Sequence, residues 1–341
     1  PGEGVPDALV AEPGFSALVE VEAAGRRRTL LFDTGVSPDG MVENARRLGL
    51  DLRDVEAIVL SHGHRDHVAG MEGVARVLGP SRLPVVIHPD GWTRRRLAFP
   101  GLTPAELPTP SHAALRGAGL EIVEERQPSL VLDGALLVTG EVDRRTPFEQ
   151  GFPGHEAFAG GGWAPDPLIR DDQALVVRSP RGLVVLSGCG HAGIVNTVRH
   201  AQRLTGEDRI AAVIGGFHLS GPLFEPVIGP TVDAFAALAP GVLAPTHCTG
   251  WRAVHALAGR FPDAFVQCTV GTAIGLCEPA LARLQGGGRA QAHAQVLPQD
   301  EADEALDPRR GGGRHGGAGL GERPRHQARQ RRERGGPHRL G

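Results

Sequence analysis

Lysine and tyrosine are absent from this sequence of 341 residues, and all 36 basic residues are arginine. Arginine and lysine are not physically interchangeable at most sites, so the exclusion of one of them indicates a genomic G+C bias rather than a selected property. No apolar stretch reaches the roughly 18 residues that a membrane-spanning helix needs, and no signal peptide is visible. These absences argue against a membrane protein, and we expect a soluble chain.

Cysteine is scarce as well, and this scarcity bears on the compartment. The four cysteines, none of them in a Cys-x-x-Cys pair, are Cys189, Cys248, Cys268 and Cys277. So few cysteines in a chain of this size indicate a reducing compartment. We therefore expect a cytoplasmic protein without disulfides.

The segment from Ser61 to His67 carries three imidazoles and a carboxylate, from His62, His64, Asp66 and His67. Imidazole nitrogens and carboxylate oxygens are the ligands that zinc and similar ions prefer. An apolar run over 55–60 predicts a strand before the segment, and apolar residues at helical spacing from 68 to 78 predict a helix after it. The alternative is a polar surface loop with incidental histidines, but the dense spacing favours a metal site that can serve two adjacent ions.

Further candidate ligands follow three later apolar runs. Cys189 and His191 follow the run over 182–187, His218 follows 210–214, and His247 follows 242–244. Strand ends are where side chains from distant segments meet. Cys189 is either a thiolate ligand or a small buried apolar residue. His218 is a ligand, a hydrogen-bond donor in catalysis, or a packed histidine near the core.

The alternation of apolar strands with helical patterns predicts an α/β protein, and the motifs allow a family to be named. The run from His62 to His67 resembles the His-x-His-x-Asp-His signature of the metallo-β-lactamase-fold hydrolases. The run over 30–35 resembles the strand of that family that ends in Asp-x-Gly, where Asp33 would orient the metal loop; the alternative is that Asp33 only starts a turn. The resemblance implies a four-layer αββα sandwich. At the position of Cys189 many relatives have a bridging Asp, so the bridging ligand departs from the pattern.

A subgroup is indicated by several further motifs, which lie at 140–144, 172–175, 187–196, 215–219 and 247–250. Together they resemble the group named for 7,8-dihydropterin-6-yl-methyl-4-(β-D-ribofuranosyl)aminobenzene-5′-phosphate synthase. Glu141 falls where other relatives have a metal-binding histidine, and it either replaces that ligand or pairs with Arg144. The chain opens with Pro1 and enters the family pattern almost at once, so we expect that the natural start lies upstream of it.

The resemblance implies a metal-dependent hydrolase with two zinc ions, although iron and manganese are not excluded. His62, His64 and His191 would hold one ion, and Asp66, His67 and His247 would hold the other. A metal-bound hydroxide would attack a phosphoester or ester, Asp66 would accept a proton, and His218 would stabilise developing charge. The alternative is a synthase-type transferase of a methanopterin-like pathway. A third hypothesis, which the loop favours less, is a diiron redox enzyme.

The domain prediction places a metallo-β-lactamase-like catalytic domain at 1–280 and an Arg/Gly-rich disordered tail at 281–341. The tail has few apolar residues and no sustained periodicity. An Arg/Gly tail can bind nucleic acid, but no aromatic residue is interleaved with the arginines, which disfavours that function. We expect a small-molecule substrate, phosphorylated or pterin-like. The oligomeric state cannot be predicted.

The segment 90–172 is rich in Pro and Gly and is expected to line the active site. Aromatic residues there could wall a pocket for a flat substrate, and arginines could meet a phosphate, but ordinary packing and solvated charge explain each equally well. These candidates are Trp92, Phe148, Phe152, Phe158, Trp163, Arg94, Arg95, Arg96, Arg144 and Arg145. Four more histidines, His112, His155, His200 and His255, are interpreted as surface or packing residues, and His88 as an open pocket candidate.

Overall fold

Sixteen strands and seven α-helices are present in the computed structural model, which describes residues 8–276 and 294–295. The strands are β1 Ala17–Ala23, β2 Arg26–Phe32, β3 Ala57–Val59, β4 Pro84–Ile87, β5 Arg95–Leu97, β6 Ala105–Leu107, β7 Glu121–Glu124, β8 Ser129–Val131, β9 Leu136–Val138, β10 His155–Ala159, β11 Gly162–Pro165, β12 Ala174–Ser179, β13 Gly182–Ser187, β14 Ile210–Gly216, β15 Val242–Thr246 and β16 Ala294–Gln295. The helices are α1 Gly40–Arg47, α2 Arg65–Val68, α3 Met71–Leu78, α4 His112–Gly117, α5 Ile194–Thr205, α6 Glu225–Leu238 and α7 Trp251–Arg260. Two short 3-10 helices span Leu52–Asp54 and Pro89–Trp92.

Two six-stranded mixed sheets form the centre of the fold. The first has the order β16-β1-β2-β3-β4-β7, and the second has the order β15-β14-β13-β12-β9-β8. In the first sheet β2, β3, β4 and β7 run parallel, and in the second β13, β14 and β15 do. A third sheet, with the order β11-β10-β5-β6, is antiparallel and has four strands. Parallel strands bring their carboxyl ends to the same edge, where loops can build a site.

Strand alternation divides the core into three layers. Leu30 and Phe32 of β2 pack with residues of the second sheet, whereas Leu31 between them packs against helices. In β13, Val184 faces the first sheet and Val185 faces α5. Successive side chains of a strand point to opposite faces, so each central strand serves two layers. Helices α1, α3 and α4 cover the first sheet, and α5, α6 and α7 cover the second. The predicted four-layer αββα sandwich is confirmed.

The predicted helix after the metal loop is interrupted in the structure. It forms two pieces, α2 and α3, with Gly70 between them. A Cβ atom on Gly70 would lie 1.8 Å from the carbonyl oxygen of Thr34, so only glycine allows this close approach of the helix to the loop after β2. The break turns α2 toward the strand ends and so places Asp66 and His67.

Only residues 294–295 of the predicted tail lie among the described residues, and they pair in parallel with β1. The predicted boundary at 280 and the rest of 281–341 lie outside the described part of the chain. Within the described ranges, no helix is both long enough and apolar enough to cross a membrane.

Candidate metal centre

Three buried histidines converge at the ends of β3 and β13. The ring nitrogen Nδ1 of His64 lies 3.0 Å from Nε2 of His62 and 3.1 Å from Nε2 of His191. We call these residues the three-histidine set. A tetrahedral zinc ion with bonds of about 2.0–2.1 Å needs ligand nitrogens about 3.3–3.4 Å apart, which is close to the observed spacing. The set therefore fits a metal ion.

The protonation state of the three-histidine set also suits a metal. Burial, reinforced by repulsion from neighbouring imidazoles, lowers the pKa of His62 well below its ordinary value of 6.5, and the pKa values of His64 and His191 shift the same way. Neutral rings offer lone pairs where protonated rings do not. The converging nitrogens are thus available to a cation at neutral pH.

A second group of ligand atoms lies beside the first. The Nε2 atom of His67 is 3.1 Å from Nε2 of His247 and 3.2 Å from Sγ of Cys189. The Oδ2 atom of Asp66 lies 3.2 Å from Nε2 of His247 and 3.6 Å from Nε2 of His67. We call Asp66, His67, Cys189 and His247 the mixed set; their ligand atoms all lie within 4.8 Å of one another. The donors are those that zinc prefers, so this set also fits an ion.

His67 is held from behind by the carboxylate of Asp33. The Nδ1 atom of His67 lies 2.7 Å from Oδ2 of Asp33, and both side chains are fully buried. Burial acts to lower the pKa of His67, but the charges and hydrogen bonds of Asp33 and Asp66 raise it to about 10. His67 is therefore protonated at neutral pH when no metal binds, and Asp33 fixes the ring orientation.

Asp33 also anchors the start of the metal loop. Its Oδ1 accepts the backbone N–H of Ser61 at 2.7 Å, and its Oδ2 accepts the Ser61 hydroxyl at 2.7 Å. Its backbone has a positive φ of 58°, a conformation that non-glycine residues seldom adopt. The three hydrogen bonds to the carboxylate stabilise this turn, which agrees with the orienting role expected for Asp33.

A second buried carboxylate supports the loop from the opposite side. Asp171 accepts the backbone N–H of Gly63 at 2.8 Å and the Nη2 atom of Arg95 at 2.6 Å. Arg95 also donates to Asp166 at 2.9 Å. Arg95 is buried and fully engaged, so the phosphate contact considered for it from the sequence is wrong. The bridge through Asp171 joins the third sheet to the loop that carries the three-histidine set.

The loop that carries Cys189 and His191 is positioned by Asp172. Its Oδ2 accepts the backbone N–H of Ala192 at 2.9 Å. Burial raises the pKa of Asp172 to about 6, although the hydrogen bond to Ala192 and the nearby Arg144 oppose the shift. Arg144 donates to the carbonyl oxygen of His191 at 3.0 Å, which is a structural contact and not an exposed phosphate site.

His218 lies at the rim of the three-histidine set. Its ring centroid is 4.2 Å from that of His191, and its buried Nδ1 has no hydrogen-bond partner among the described residues. His155, interpreted from the sequence as a surface or packing residue, also borders the set, with its ring 5.0 Å from that of His64. It is buried, which agrees with the packing alternative, but the sequence did not indicate that it lies beside the three-histidine set. No strand end precedes His155 in the sequence, and only the third sheet brings it here.

Phe152 and Phe224 are the aromatic residues nearest to these histidines. The ring of Phe152 lies 4.6 Å from that of His155 and 5.6 Å from that of Phe224, which in turn lies 4.7 Å from the ring of His218. Both phenylalanines are partly exposed. They form an aromatic wall beside the three-histidine set.

The other aromatic and arginine candidates lie outside the ligand sets. Phe148 packs against the core, and Trp92 donates its indole N–H to Glu124 at 2.6 Å. Phe158 and Trp163 stack with Arg94 and Arg96 on the third sheet. The sequence alone cannot distinguish these residues from Phe152.

Two open alternatives are also resolved. Glu141 pairs with Arg170 rather than with Arg144 and belongs to neither ligand set. His88 accepts the backbone N–H of Asp90 at 3.1 Å and thus caps the 3-10 helix Pro89–Trp92.

Comparison with known proteins agrees with this geometry. The family model described as "Metallo-beta-lactamase superfamily" matches residues 10–159. A protein of Methanocaldococcus jannaschii named 7,8-dihydropterin-6-methyl-4-(beta-D-ribofuranosyl)-aminobenzene-5'-phosphate synthase is 28% identical over 77% of this chain and 90% of its own length. An uncharacterised protein of the same organism is 30% identical over 78% of this chain and 94% of its own length. A crystal structure described as a metal-dependent hydrolase of the beta-lactamase superfamily is 28% identical, with a TM-score of 0.62 over 78% of this chain and 93% of the other.

Proposed function

Because the chain belongs to the metallo-beta-lactamase superfamily, we propose that it is a metal-dependent hydrolase that acts on a phosphoester or ester. One observation carries the proposal: seven ligand atoms from the loop after β3, helix α2, the loop after β13 and the loop after β15 converge as two adjacent sets. We propose zinc as the metal and two ions as the catalytic number, with iron and manganese as the alternatives. Ions at such a centre supply Lewis acidity and lower the pKa of a coordinated water.

Each of the two sets would hold one metal ion. His62, His64 and His191 would hold one ion, and Asp66, His67 and His247 would hold the other, with Cys189 as a thiolate ligand beside them. Hydrogen bonds to His247 and His67 overcome the effect of burial and hold the pKa of Asp66 below its usual range. Asp66 is therefore ionised and suited to be a ligand, but it is a weak proton acceptor.

The rim of the centre would bind a polar substrate. Four buried ring nitrogens of histidines in or beside the centre, His64 Nε2, His155 Nδ1, His191 Nδ1 and His218 Nδ1, have no hydrogen-bond partner among the described residues. A buried polar atom without a partner is costly, so oxygens of a bound substrate would relieve that cost. His218 is the residue we propose to stabilise charge that develops on the substrate.

The aromatic wall favours a small molecule with a flat part. Phe152 and Phe224 present partly exposed ring surface next to His155 and His218. Aromatic faces bind flat apolar groups in offset or edge-to-face arrangements. We further propose a cytoplasmic location, since the described cysteines Cys189, Cys248 and Cys268 are all free.

The test is hydrolysis by protein purified without added metal, combined with elemental analysis. Generic phosphodiesters and esters should be cleaved, and His64→Ala should lower kcat/KM by at least about 100-fold, because even the residues that orient ligands often account for about 10–100-fold. The matched control is His255→Ala, since His255 stacks on the exposed Trp251 outside both sets. Protein that binds no metal, or full activity in His64→Ala, would refute the proposal.

A synthase-type transferase is the second candidate. The observation that favours it is the 28% identity to a relative named as a synthase, which covers 90% of that relative. The test supplies a dihydropterin donor and a ribofuranosylaminobenzene phosphate and looks for the coupled product by mass spectrometry. Coupling that depends on His64 supports this candidate, whereas hydrolysis without coupling excludes it.

A further inference from the structure

Cys189 belongs to a second group of potential ligands in addition to the mixed set. Its Sγ, the Sγ of Cys248 and a ring nitrogen of His218 all lie within 4.8 Å of one another. We call Cys189, His218 and Cys248 the thiol cluster. Cys248 follows His247 directly in the chain, so one loop after β15 supplies a ligand to each group.

The position of Cys248 depends on tight backbone packing. Its Sγ accepts the backbone N–H of His218 at 3.3 Å and lies 3.3 Å from the carbonyl oxygen of Cys189. A Cβ atom on Gly216 would lie 2.7 Å from this sulfur and 2.4 Å from the carbonyl oxygen of Gly188, so only glycine leaves room for the thiol. The packing places the Cys248 thiol against the backbone of Cys189.

His218 supplies an independent indication that the cluster binds a ligand. Its buried Nδ1 has no hydrogen-bond partner among the described residues. Its backbone has a positive φ of 47°, which a histidine adopts at a steric cost. His218 thus combines a strained backbone, a buried ring nitrogen without a partner and a ring nitrogen within 4.8 Å of two thiols, and such features concentrate at ligand sites.

We propose that the thiol cluster is a third metal position, specific for a borderline or soft divalent ion such as zinc, cobalt or cadmium. Cys248 Sγ and one ring nitrogen of His218 would bind this ion, which leaves the other ring nitrogen for the substrate charge proposed above, and the Cys189 thiolate would bridge it to the ion in the mixed set. Cys248 releases its proton to solvent on binding, and the Cys189 thiolate, already formed for the ion in the mixed set, is shared between the two ions. Sulfur donors select such ions over magnesium or calcium. This position adds to the two ions of the proposed hydrolase.

The test is cadmium binding by the chelator-treated full-length protein, read by elemental analysis and by the ultraviolet absorption of sulfur-to-cadmium bonds. The unchanged protein should bind one cadmium equivalent more than Cys248→Ser. The absorption should fall by about two-thirds in Cys248→Ser. The unchanged protein would have three sulfur-to-cadmium bonds, two from the bridging Cys189 and one from Cys248, and the variant would keep only the bond from Cys189 to the ion in the mixed set. The matched control is Cys268→Ser, a half-buried cysteine outside the cluster, which should behave as the unchanged protein.

Two further variants keep the result interpretable. His218→Ala should lose the same cadmium equivalent as Cys248→Ser while both thiols remain, which guards against misfolding of one variant. His64→Ala should lose an equivalent without loss of sulfur absorption, so failure of the three-histidine set and failure of the thiol cluster are distinguishable. Equal cadmium content and equal absorption in the unchanged protein, Cys248→Ser and His218→Ala would overturn the proposal.

Discussion

The three-histidine set and the mixed set differ in the protonation state of their histidines when no metal is bound. Burial keeps His62, His64 and His191 neutral, so their nitrogens are ready for a cation. In the mixed set the carboxylates of Asp33 and Asp66 raise the pKa of His67 to about 10 against the effect of burial, so a proton occupies the place that an ion would take. The two adjacent sets therefore differ in charge without a metal: the three-histidine set is neutral, whereas His67 of the mixed set is protonated.

Ligand identity alone does not determine how readily a metal site fills. Both sets contain histidines from the same motif, yet only the mixed set must release a proton from His67 before an ion binds. Its thiol adds a second proton, because burial raises the pKa of Cys189 well above its usual value. We expect the first ion to bind more readily than the second near neutral pH.

Removal of one ligand from each set is expected to give the largest effects. His191→Ala should lose one zinc equivalent and lower kcat/KM by at least about 100-fold, since substitutions that only reorient ligands often cost about 10–100-fold. His247→Ala should also lose one equivalent but should retain the ion of the three-histidine set. Elemental analysis with steady-state kinetics checks both. Loss of both ions in His247→Ala would mean that the two sets are not independent.

The supporting carboxylates Asp33 and Asp171 should each affect one ion more than the other. Asp33→Asn removes the acceptor that orients His67 and should weaken the second ion by about 10–100-fold. Asp171→Asn disturbs Gly63 and Arg95 and should weaken the first ion more than the second. Zinc affinities from competition with a chromogenic chelator distinguish the two. Equal loss at both sites from either variant would contradict the assignment of each carboxylate to one set.

The smallest expected effect concerns stability and involves Asp172. Its pKa rises from 3.8 in an unfolded chain to about 6 in the folded one, chiefly by burial. The folded state then binds more protons between these values, so this contribution to stability is full below about pH 4 and is lost as the pH rises through 6. The metal-free protein should therefore lose on the order of 2 kcal/mol relative to Asp172→Asn between pH 4 and 6.

Urea unfolding of both metal-free proteins at a series of pH values measures this difference. The histidines titrate in both proteins and so cancel in the comparison. A difference that stays constant from pH 4 to 6 would show that Asp172 is not the group responsible.

Much of the ligand geometry is predictable from the sequence because it depends on local patterns. The motif from His62 to His67 is contiguous, and His191 and His247 each follow an apolar run whose end the structure brings to the shared edge. Strand alternation and helical spacing likewise predict the layers. These features need no knowledge of which distant segments touch.

The supporting residues are not predictable in this way. Asp171 accepts a hydrogen bond from Gly63, which lies 108 residues earlier in the sequence. Glu149, from a distant loop, accepts the backbone N–H groups of Val195 and Asn196 at the start of α5. His155 and Arg95 sit on neighbouring strands of the third sheet, within a Pro- and Gly-rich segment that carries no periodicity. Their roles arise from tertiary packing alone, which a linear pattern does not encode.

The most direct test of the two unlike ligand sets is anomalous X-ray diffraction at the zinc edge from crystals equilibrated at pH 6 and at pH 8.5. Competition with the His67 proton should weaken the second ion by about tenfold for each pH unit below the pKa of that histidine. We predict a strong peak among His62, His64 and His191 at both pH values, and a peak among Asp66, His67, Cys189 and His247 that is weak at pH 6 and strong at pH 8.5. Equal occupancy of both positions at the two pH values, or no peak at the three histidines, would contradict this account.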